Sequence, residues 1–91
     1  MRIKPLDSAV LDLNNIASYY QRVGGNGLAI RMLQRIRQPV KNLANHPYLG
    51  TAYRKDLRRL VVADGLFIVF YRIEQAVIEI VHIRRAEQDL L

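Results

Sequence analysis

The sequence contains no cysteine, few acidic residues and no long apolar run. The lack of cysteine excludes disulfides, thiolate zinc sites and cysteine nucleophiles, and it is compatible with a reducing compartment. No stretch approaches the roughly 20 apolar residues that a membrane helix needs, and no signal-peptide pattern follows Met1 to Pro5. We therefore expect a soluble protein that works in the cytoplasm and makes no membrane contact.

Basic residues dominate the charge of the chain. Lysine and arginine together number 14 and aspartate and glutamate 8, which gives the 91 residues a net charge of +6. Such an excess favours polyanions or acidic proteins as partners. A chain of this length builds one domain, residues 1–91, with a modest core but without a cleft between two lobes.

Apolar residues recur every three or four positions in the first half of the chain and predict two amphipathic helices. The first helix covers residues 6–22, and the second begins at Ala29 and ends at Leu43. Between them lies Gly24-Gly25-Asn26-Gly27, whose residues tolerate the left-handed backbone of a helix end. The two helices are therefore expected to form an antiparallel hairpin, with a bend in the second helix just before Pro39.

The last third of the sequence predicts a three-stranded antiparallel meander. Its strands are residues 58–63, 66–73 and 76–83, joined by turns at Asp64-Gly65 and Glu74-Gln75. The Asp-Gly pair supplies the positive φ angles of a two-residue turn. Residues 51–56 are predicted to form a connecting loop, and Met1 to Lys4 to add an edge strand to the same sheet.

Strand alternation divides this sheet into a face that covers the helices and an opposite face. The helix-facing residues are expected to be Leu60, Val62, Phe67, Val69, Tyr71, Ile78, Ile80 and His82. The opposite face is expected to carry Arg59, Val61, Ala63, Leu66, Ile68, Phe70, Arg72, Val77, Glu79, Val81 and Ile83. Because the helices form only one layer, this second face is expected to be an exposed apolar patch with a charged rim, which is typical of a protein interface.

Five short motifs follow one another along the chain. They are Ala9-x-x-Asp12-Leu13-x-x-Ile16-x-x-Tyr19, His46-Pro47-x-x-Gly50, Arg58-x-Leu60-Val61-Val62, Tyr71-Arg72-Ile73 and Val81-His82-Ile83-Arg84-Arg85-x-x-x-Asp89. In this order they resemble the ParE branch of the RelE/ParE superfamily, the plasmid-stabilisation type of toxin in bacterial toxin–antitoxin operons. The resemblance covers nearly the whole chain. It implies an α+β fold, in which an N-terminal edge strand and an antiparallel two-helix hairpin pack on a three-stranded antiparallel meander.

The resemblance also implies a function. A ParE-like chain would be the toxin of a type II toxin–antitoxin system, would inhibit DNA gyrase by binding it, and would be neutralised by a cognate, ParD-like antitoxin. No cofactor and no metal are implied, and operator DNA would be reached only through the antitoxin. A dimer or a larger assembly with the antitoxin is compatible with this interpretation.

The sister branch, which resembles RelE, implies a different activity, the cleavage of messenger RNA on the ribosome. Members of that branch carry an arginine in the middle strand, where alignment on Tyr71-Arg72-Ile73 places Ile68 here, and a tyrosine after the last strand, which this chain lacks. Arg84 or Arg85 could still supply a phosphate-stabilising cation, and His82 a proton carrier. A ribosome-dependent ribonuclease is therefore one alternative, and a non-toxic homologue that only binds its antitoxin is another.

Candidate binding residues follow from the charge pattern and the resemblance. Five arginines are expected to gather at one end of the sheet and to contact the target: Arg58, Arg59, Arg72, Arg84 and Arg85. The antitoxin is expected to cover Leu66, Ile68, Phe70 and Val81 on the exposed face. The alternative for the arginines is a solvated rim, and the alternative for His82 is a half-buried histidine that hydrogen-bonds its neighbours.

Overall fold

The computed structural model describes residues 1–87 and has an α+β architecture, as expected. Its elements are β1 (Arg2–Pro5), α1 (Asp7–Asn42), β2 (Thr51–Arg54), β3 (Leu57–Val62), β4 (Phe67–Glu74) and β5 (Val77–Arg85). The strands form one mixed sheet in the order β1-β5-β4-β3-β2. β1 runs parallel to β5, and all the other neighbours are antiparallel.

The helical part is one element with a break rather than two separate helices. α1 spans 36 residues, of which Gly24 (φ −146°, ψ 15°) and Gly25 (φ 85°, ψ 179°) have non-helical backbone angles. A straight helix of this length would extend about 54 Å, whereas the longest dimension of the molecule is 38 Å. The chain must therefore bend at the two glycines. In the part of the chain that is described, no helix is long and apolar enough to span a membrane.

Both arms of α1 pack on the same face of the sheet. Ala9 from the first arm and Met32 and Ile36 from the second belong to one buried cluster with the sheet. α1 continues through Pro39 to Asn42, so this proline does not split the helix, and the predicted bend before it stays a prediction. Pro39 lies within one turn of the helix end, where the disturbance of the helical hydrogen bonds that proline causes affects little further helix.

The sheet is wider than predicted. Residues 51–54 form β2 and pair with β3, Thr51 opposite Arg59 and Ala52 opposite Arg58, so the expected loop at 51–56 is wrong over these four positions. The turn that follows contains Lys55 at a φ of 49°. The predicted N-terminal edge strand is confirmed as β1, and its partner is β5.

An irregularity in β5 changes the predicted faces of the sheet. Tyr71 lies opposite Ile80 but Phe70 lies opposite His82, so Val81 is the extra residue of a bulge. The residues before the bulge keep the predicted alternation. Beyond the bulge, each residue of β5 lies on the face opposite to the predicted one, because one inserted residue moves every later side chain to the other face. His82 therefore leaves the helix-facing side, and Ile83 enters the core at 4% exposure.

The face away from the helices, here called the open face, is less apolar at its surface than expected. Ile68 and Phe70 are buried, with exposures of 3% and 0%, so the prediction that they form an exposed patch is wrong. The ring of Tyr53 from β2 lies 5.2 Å from that of Phe70, measured between centroids. A strand that was not expected thus covers part of this face, and Val61 and Leu66 remain the exposed apolar residues there.

Substitution of Gly25 tests the break in α1. An L-residue is strained at the φ of +85° found there, although a new Cβ would meet no atom within 4 Å. Gly25→Ala is therefore expected to lower the free energy of unfolding by about 2 kcal/mol, measured by urea denaturation.

Gly27→Ala is the matched control, since Gly27 is helical and a Cβ would approach only the Arg31 guanidinium, at 3.4 Å. It is expected to raise stability by up to about 1 kcal/mol. Equal changes in the free energy of unfolding for the two substitutions would contradict a helix break at Gly25.

Candidate functional site

Three of the motifs found in the sequence meet at one point of the structure. The hydroxyl of Tyr71 on β4 donates to the carbonyl oxygen of Pro47 at 2.8 Å and accepts the N–H of Gly50 at 2.9 Å. The guanidinium of Arg58 on β3 donates to the carbonyl oxygen of Gly50 through Nη2 at 2.7 Å and through Nε at 3.2 Å. Residues 46–50, here called the 46–50 loop, are thus clamped from two strands.

Glycine is required at position 50 by the closeness of this packing. A Cβ atom there would lie 2.6 Å from the carbonyl oxygen of Arg59 and 2.8 Å from the ring of Tyr71. Real Cβ atoms do not approach backbone and buried ring atoms so closely without displacing them. In the sequence, His46-Pro47-x-x-Gly50 is only one of the five separate motifs, so the clamp was missed.

A second cluster lies along the edge of β5 that β1 leaves uncovered. β1 pairs with β5 only as far as Ile80. Beyond it, the first arm of α1 supplies side chains: the Ser8 hydroxyl donates to the carbonyl oxygen of Val81 at 2.5 Å, and Oδ2 of Asp12 accepts the N–H of Ile83 at 2.9 Å. The helix therefore satisfies backbone groups that an open strand edge would leave unpaired.

His82 and Arg84 extend this cluster. Nδ1 of His82 lies 3.0 Å from Oδ2 of Asp12, and Nη2 of Arg84 lies 3.4 Å from the same nitrogen. The side chain of His82 is 25% exposed, as a half-buried histidine would be. Its predicted position on the helix-facing side is wrong because of the bulge, and its ring reaches Asp12 at the strand edge.

The five candidate arginines do not gather at one end of the sheet. Arg58 lies opposite Tyr71 in the second half of β4, whereas Arg85 lies opposite Phe67 at its start. The registers and strand alternation place Arg59, Arg72 and Arg84 on the open face instead. The expectation failed because β5 runs antiparallel to β4, so the end of β5 lies beside the start of β4, whereas Arg58 and Arg59 lie beside its middle.

All five of these arginines have partners within residues 1–87, Arg84 through its contact with His82. Arg58 is clamped as above, and Nε of Arg72 lies 2.7 Å from Oε1 of Glu79. This hydrogen bond, helped by the charge of Glu79 and opposed by burial, raises the pKa of Arg72 above its usual range. Arg59 lies 5.9 Å from the ring centroid of Tyr53. Arg85 lies 5.5 Å from that of Tyr19, and its Nη2 also pairs with Oε1 of Glu87 at 2.6 Å.

Arg84 and Arg85 border a groove between α1 and the end of β5. The groove has a volume of about 260 Å³ and is lined by Asp12, Asn15, Ile16, Tyr19, Tyr20, Phe67, Ile83, Arg84 and Arg85. Nε of Arg84 is buried and has no hydrogen-bond partner within residues 1–87. The groove therefore combines aromatic walls with two cations. Asp89, the last residue of the C-terminal motif, lies outside the described residues.

The candidate antitoxin residues also fall into two groups. Leu66 is 47% exposed, and Val81 is half-buried at the bulge. Ile68 and Phe70 are inaccessible in the chain alone. Leu66 lies in the turn between β3 and β4, where its N–H donates to the carbonyl oxygen of Ala63 at 3.1 Å.

Comparison with known proteins gives a consistent result. The sequence model for the ParE toxin of type II toxin–antitoxin systems, parDE, matches residues 3–90. Among solved structures, a chain of the chromosomal ParDE toxin–antitoxin system of P. aeruginosa is 28% identical, with a TM-score of 0.83, over 96% of this chain and 97% of its own. A search of curated proteins finds no significant match.

Two RelE structures of E. coli are more distant. The isolated RelE toxin is 9% identical, with a TM-score of 0.66 over 97% of this chain and 86% of its own. The intact RelBE toxin–antitoxin complex contains a chain that is 9% identical, with a TM-score of 0.65 over 96% of this chain and 98% of its own. At this identity the likeness shows the fold alone.

Removal of the Tyr71 hydroxyl tests the clamp. Tyr71→Phe keeps the buried ring but leaves the Gly50 N–H and the Pro47 carbonyl without this partner. We expect the free energy of unfolding to fall by about 2 kcal/mol, measured by urea denaturation. Tyr48→Phe, at a residue that is 68% exposed, is the control and should change it by less than about 0.5 kcal/mol. Similar values for both variants would contradict the clamp.

Asp12→Ala tests the contact between α1 and the edge of β5. The substitution removes a charged acceptor of the Ile83 N–H, so stability should fall by about 2 kcal/mol. Hydrogen exchange at the Ile83 amide should accelerate more than exchange in β3. Asn14→Ala, at an exposed position of the same arm, should leave both quantities unchanged. Unaltered exchange at Ile83 in Asp12→Ala would contradict the contact.

Proposed function

Because the chain belongs to the ParE toxin family of type II toxin–antitoxin systems, we propose that it inhibits DNA gyrase by binding it and that a cognate, ParD-like antitoxin neutralises it. The observation that carries this proposal is the match of the family model over residues 3–90. The likeness to the ParDE system at a TM-score of 0.83 supports the antitoxin partner. A gyrase target puts the action in the cytoplasm. Operator DNA would be contacted through the antitoxin.

The proposed target surface consists of the candidate arginines. Of these, Arg84 and Arg85 are proposed to be the principal contacts because they line the groove. They line it together with the aromatic rings of Tyr19, Tyr20 and Phe67. Arg58 and Arg72 are engaged with the Gly50 carbonyl and with Glu79. Arg59 extends the basic surface across the open face. An acidic partner would meet several cations in fixed positions, which favours fast association.

The antitoxin is proposed to bind as a segment that folds on the toxin. A net charge of +6 suits an acidic, amphipathic segment, and such segments commonly become ordered on binding. Leu66 and Val81 remain the proposed antitoxin contacts, whereas Ile68 and Phe70 are too buried in the chain alone to be reached. A dimer or a larger assembly with the antitoxin is compatible with this mode.

A ribonuclease of the RelE type is the second candidate because of one observation. His82 has a carboxylate 3.0 Å from its Nδ1 and a guanidinium 3.4 Å from the same atom, and a carboxylate-oriented histidine beside a cation is an arrangement that general acid–base chemistry uses. Against it, Asp12 also holds the Ile83 amide, and Ile68 occupies the position aligned with the arginine of RelE. The gyrase proposal therefore comes first.

A supercoiling and cleavage assay with purified gyrase tests the proposal. The protein is expected to reduce supercoiling and to accumulate cleaved DNA, and the polypeptide encoded next to it is expected to reverse both effects. Ribosome-bound messenger RNA serves as a parallel substrate. Transcript cleavage with unaffected gyrase would contradict the proposal and favour the ribonuclease.

The double variant Arg84→Ala and Arg85→Ala tests the proposed surface. Inhibition is expected to weaken at least about tenfold, since charged groups at the centre of an interface commonly contribute more than 1 kcal/mol each. Arg31→Ala and Arg37→Ala, two exposed arginines of α1, form a control of equal charge change. Thermal unfolding shows whether each variant is folded. Full inhibition by a folded Arg84/Arg85 variant would remove the role of these residues.

A further inference from the structure

The 46–50 loop presents two apolar side chains to solvent on a restrained backbone. Tyr48 is 68% exposed and Leu49 is 50% exposed. The backbone between them is held by the clamp and by the N–H of Leu49, which donates to the carbonyl oxygen of His46 at 3.0 Å. An exposed aromatic residue on a backbone that is already ordered loses little conformational freedom when it binds, which is the condition for an interface hot spot.

A positive charge lies directly beside this pair. The guanidinium carbon of Arg58 is 5.1 Å from the ring centroid of Tyr48, and Nη2 also lies 3.4 Å from the carbonyl oxygen of Tyr48. Arg58 forms no ion pair within residues 1–87. Its charge is therefore shared with carbonyl oxygens and an aromatic ring but is not neutralised by a carboxylate. A partner with acidic groups around an apolar pocket complements this arrangement.

The loop is distant from Leu66, one of the two proposed antitoxin contacts. Its clamp residue Tyr71 and the groove residue Phe67, which follows Leu66, are four residues apart on β4, a separation of about 13 Å along a strand. An antitoxin can therefore contact Leu66 without contacting the loop.

We propose that the 46–50 loop anchors the protein to its target, with Tyr48 and Leu49 inserted into an apolar pocket that has an acidic rim. The inference rests on the proposed function, under which this pocket belongs to DNA gyrase. It explains why the motifs containing Gly50, Arg58 and Tyr71 converge on a loop whose outward side chains make no contribution to the core.

Truncation of the two side chains tests the inference. Tyr48→Ala and Leu49→Ala are assayed for gyrase inhibition and, separately, for binding of the antitoxin polypeptide encoded beside the toxin. Tyr48→Ala is expected to raise the half-inhibitory concentration about 30-fold, the loss that marks a hot spot. Leu49→Ala is expected to raise it about tenfold. Antitoxin binding and thermal unfolding should stay unchanged in both.

Two controls accompany these variants. Tyr48→Phe keeps the ring that stacks with Arg58 and should inhibit within about threefold of the unmodified protein. Leu11→Ala removes a leucine that is 60% exposed on α1, and it should leave inhibition unchanged. Together the two controls show whether inhibition depends on the Tyr48 ring itself or falls whenever an exposed apolar side chain is removed.

The outcomes distinguish the inference from the proposed function. If the unmodified protein does not inhibit gyrase, the proposed function fails and this role of the loop fails with it. If the protein inhibits and folded Tyr48→Ala inhibits equally, only the loop is excluded. If Tyr48→Ala and Leu49→Ala lose only antitoxin binding, the loop belongs to the antitoxin interface and the inference is overturned. Binding of a labelled single-stranded oligonucleotide is measured in parallel. If the variants lose only this binding, the Tyr48 ring stacks on bases, and the inference is likewise overturned.

Discussion

The position of the helix end, the loop and β2 depends on one buried hydroxyl, that of Tyr71. The ring is wholly buried in the core with Met32 and Ile36, and its oxygen lies at the rim, where it joins the Pro47 carbonyl and the Gly50 N–H. Both backbone groups would otherwise lose a partner, and for the buried Gly50 N–H the cost is comparable to a lost hydrogen bond. Because β2 begins directly after Gly50, this contact also fixes the position at which β2 joins the edge of the sheet.

The shortage of carboxylates decides how the arginines are held. Arg35 pairs with Asp64 at 2.6 Å, Arg72 with Glu79 at 2.7 Å and Arg85 with Glu87 at 2.6 Å, but others use tyrosine rings and backbone carbonyls instead. Arg54 and Arg59 lie over the ring of Tyr53, at 5.0 Å and 5.9 Å from its centroid. Guanidinium groups suit such sites because they are planar and weakly hydrated, whereas the ammonium group of lysine is compact and strongly hydrated. The positive charge is thus ordered without being neutralised, which preserves it for an acidic partner.

Sequence patterns predicted the parts of the fold that depend on local rules. The strand pairing around Asp64-Gly65, the core positions of Val69 and Tyr71 and the break at Gly24-Gly25 follow from turn chemistry and periodicity. The bulge at Val81 does not, because consecutive β-branched and basic residues in β5 are compatible with either face until Asp12 and Ser8 bind the strand edge. β2 was not predicted because it has only four residues, of which one is half-buried and three are exposed. So short a segment shows too little alternation of apolar and polar side chains to indicate a strand.

The candidate site was predicted less well, because its parts come from distant segments. Sequence reasoning found the arginines but placed them together, and it assigned Phe70 to a surface that Tyr53 covers. The clamp was visible only as separate motifs, since nothing in the residues around Gly50 indicates that a tyrosine 21 positions later bonds its amide.

This arrangement has a consequence for neutralisation. Leu66, a proposed antitoxin contact, precedes Phe67 and therefore lies at the same end of β4 as Arg85, whereas the 46–50 loop is bonded to Tyr71. An antitoxin that covers Leu66 thus lies beside the groove arginines proposed for the target and can block them without contacting the loop.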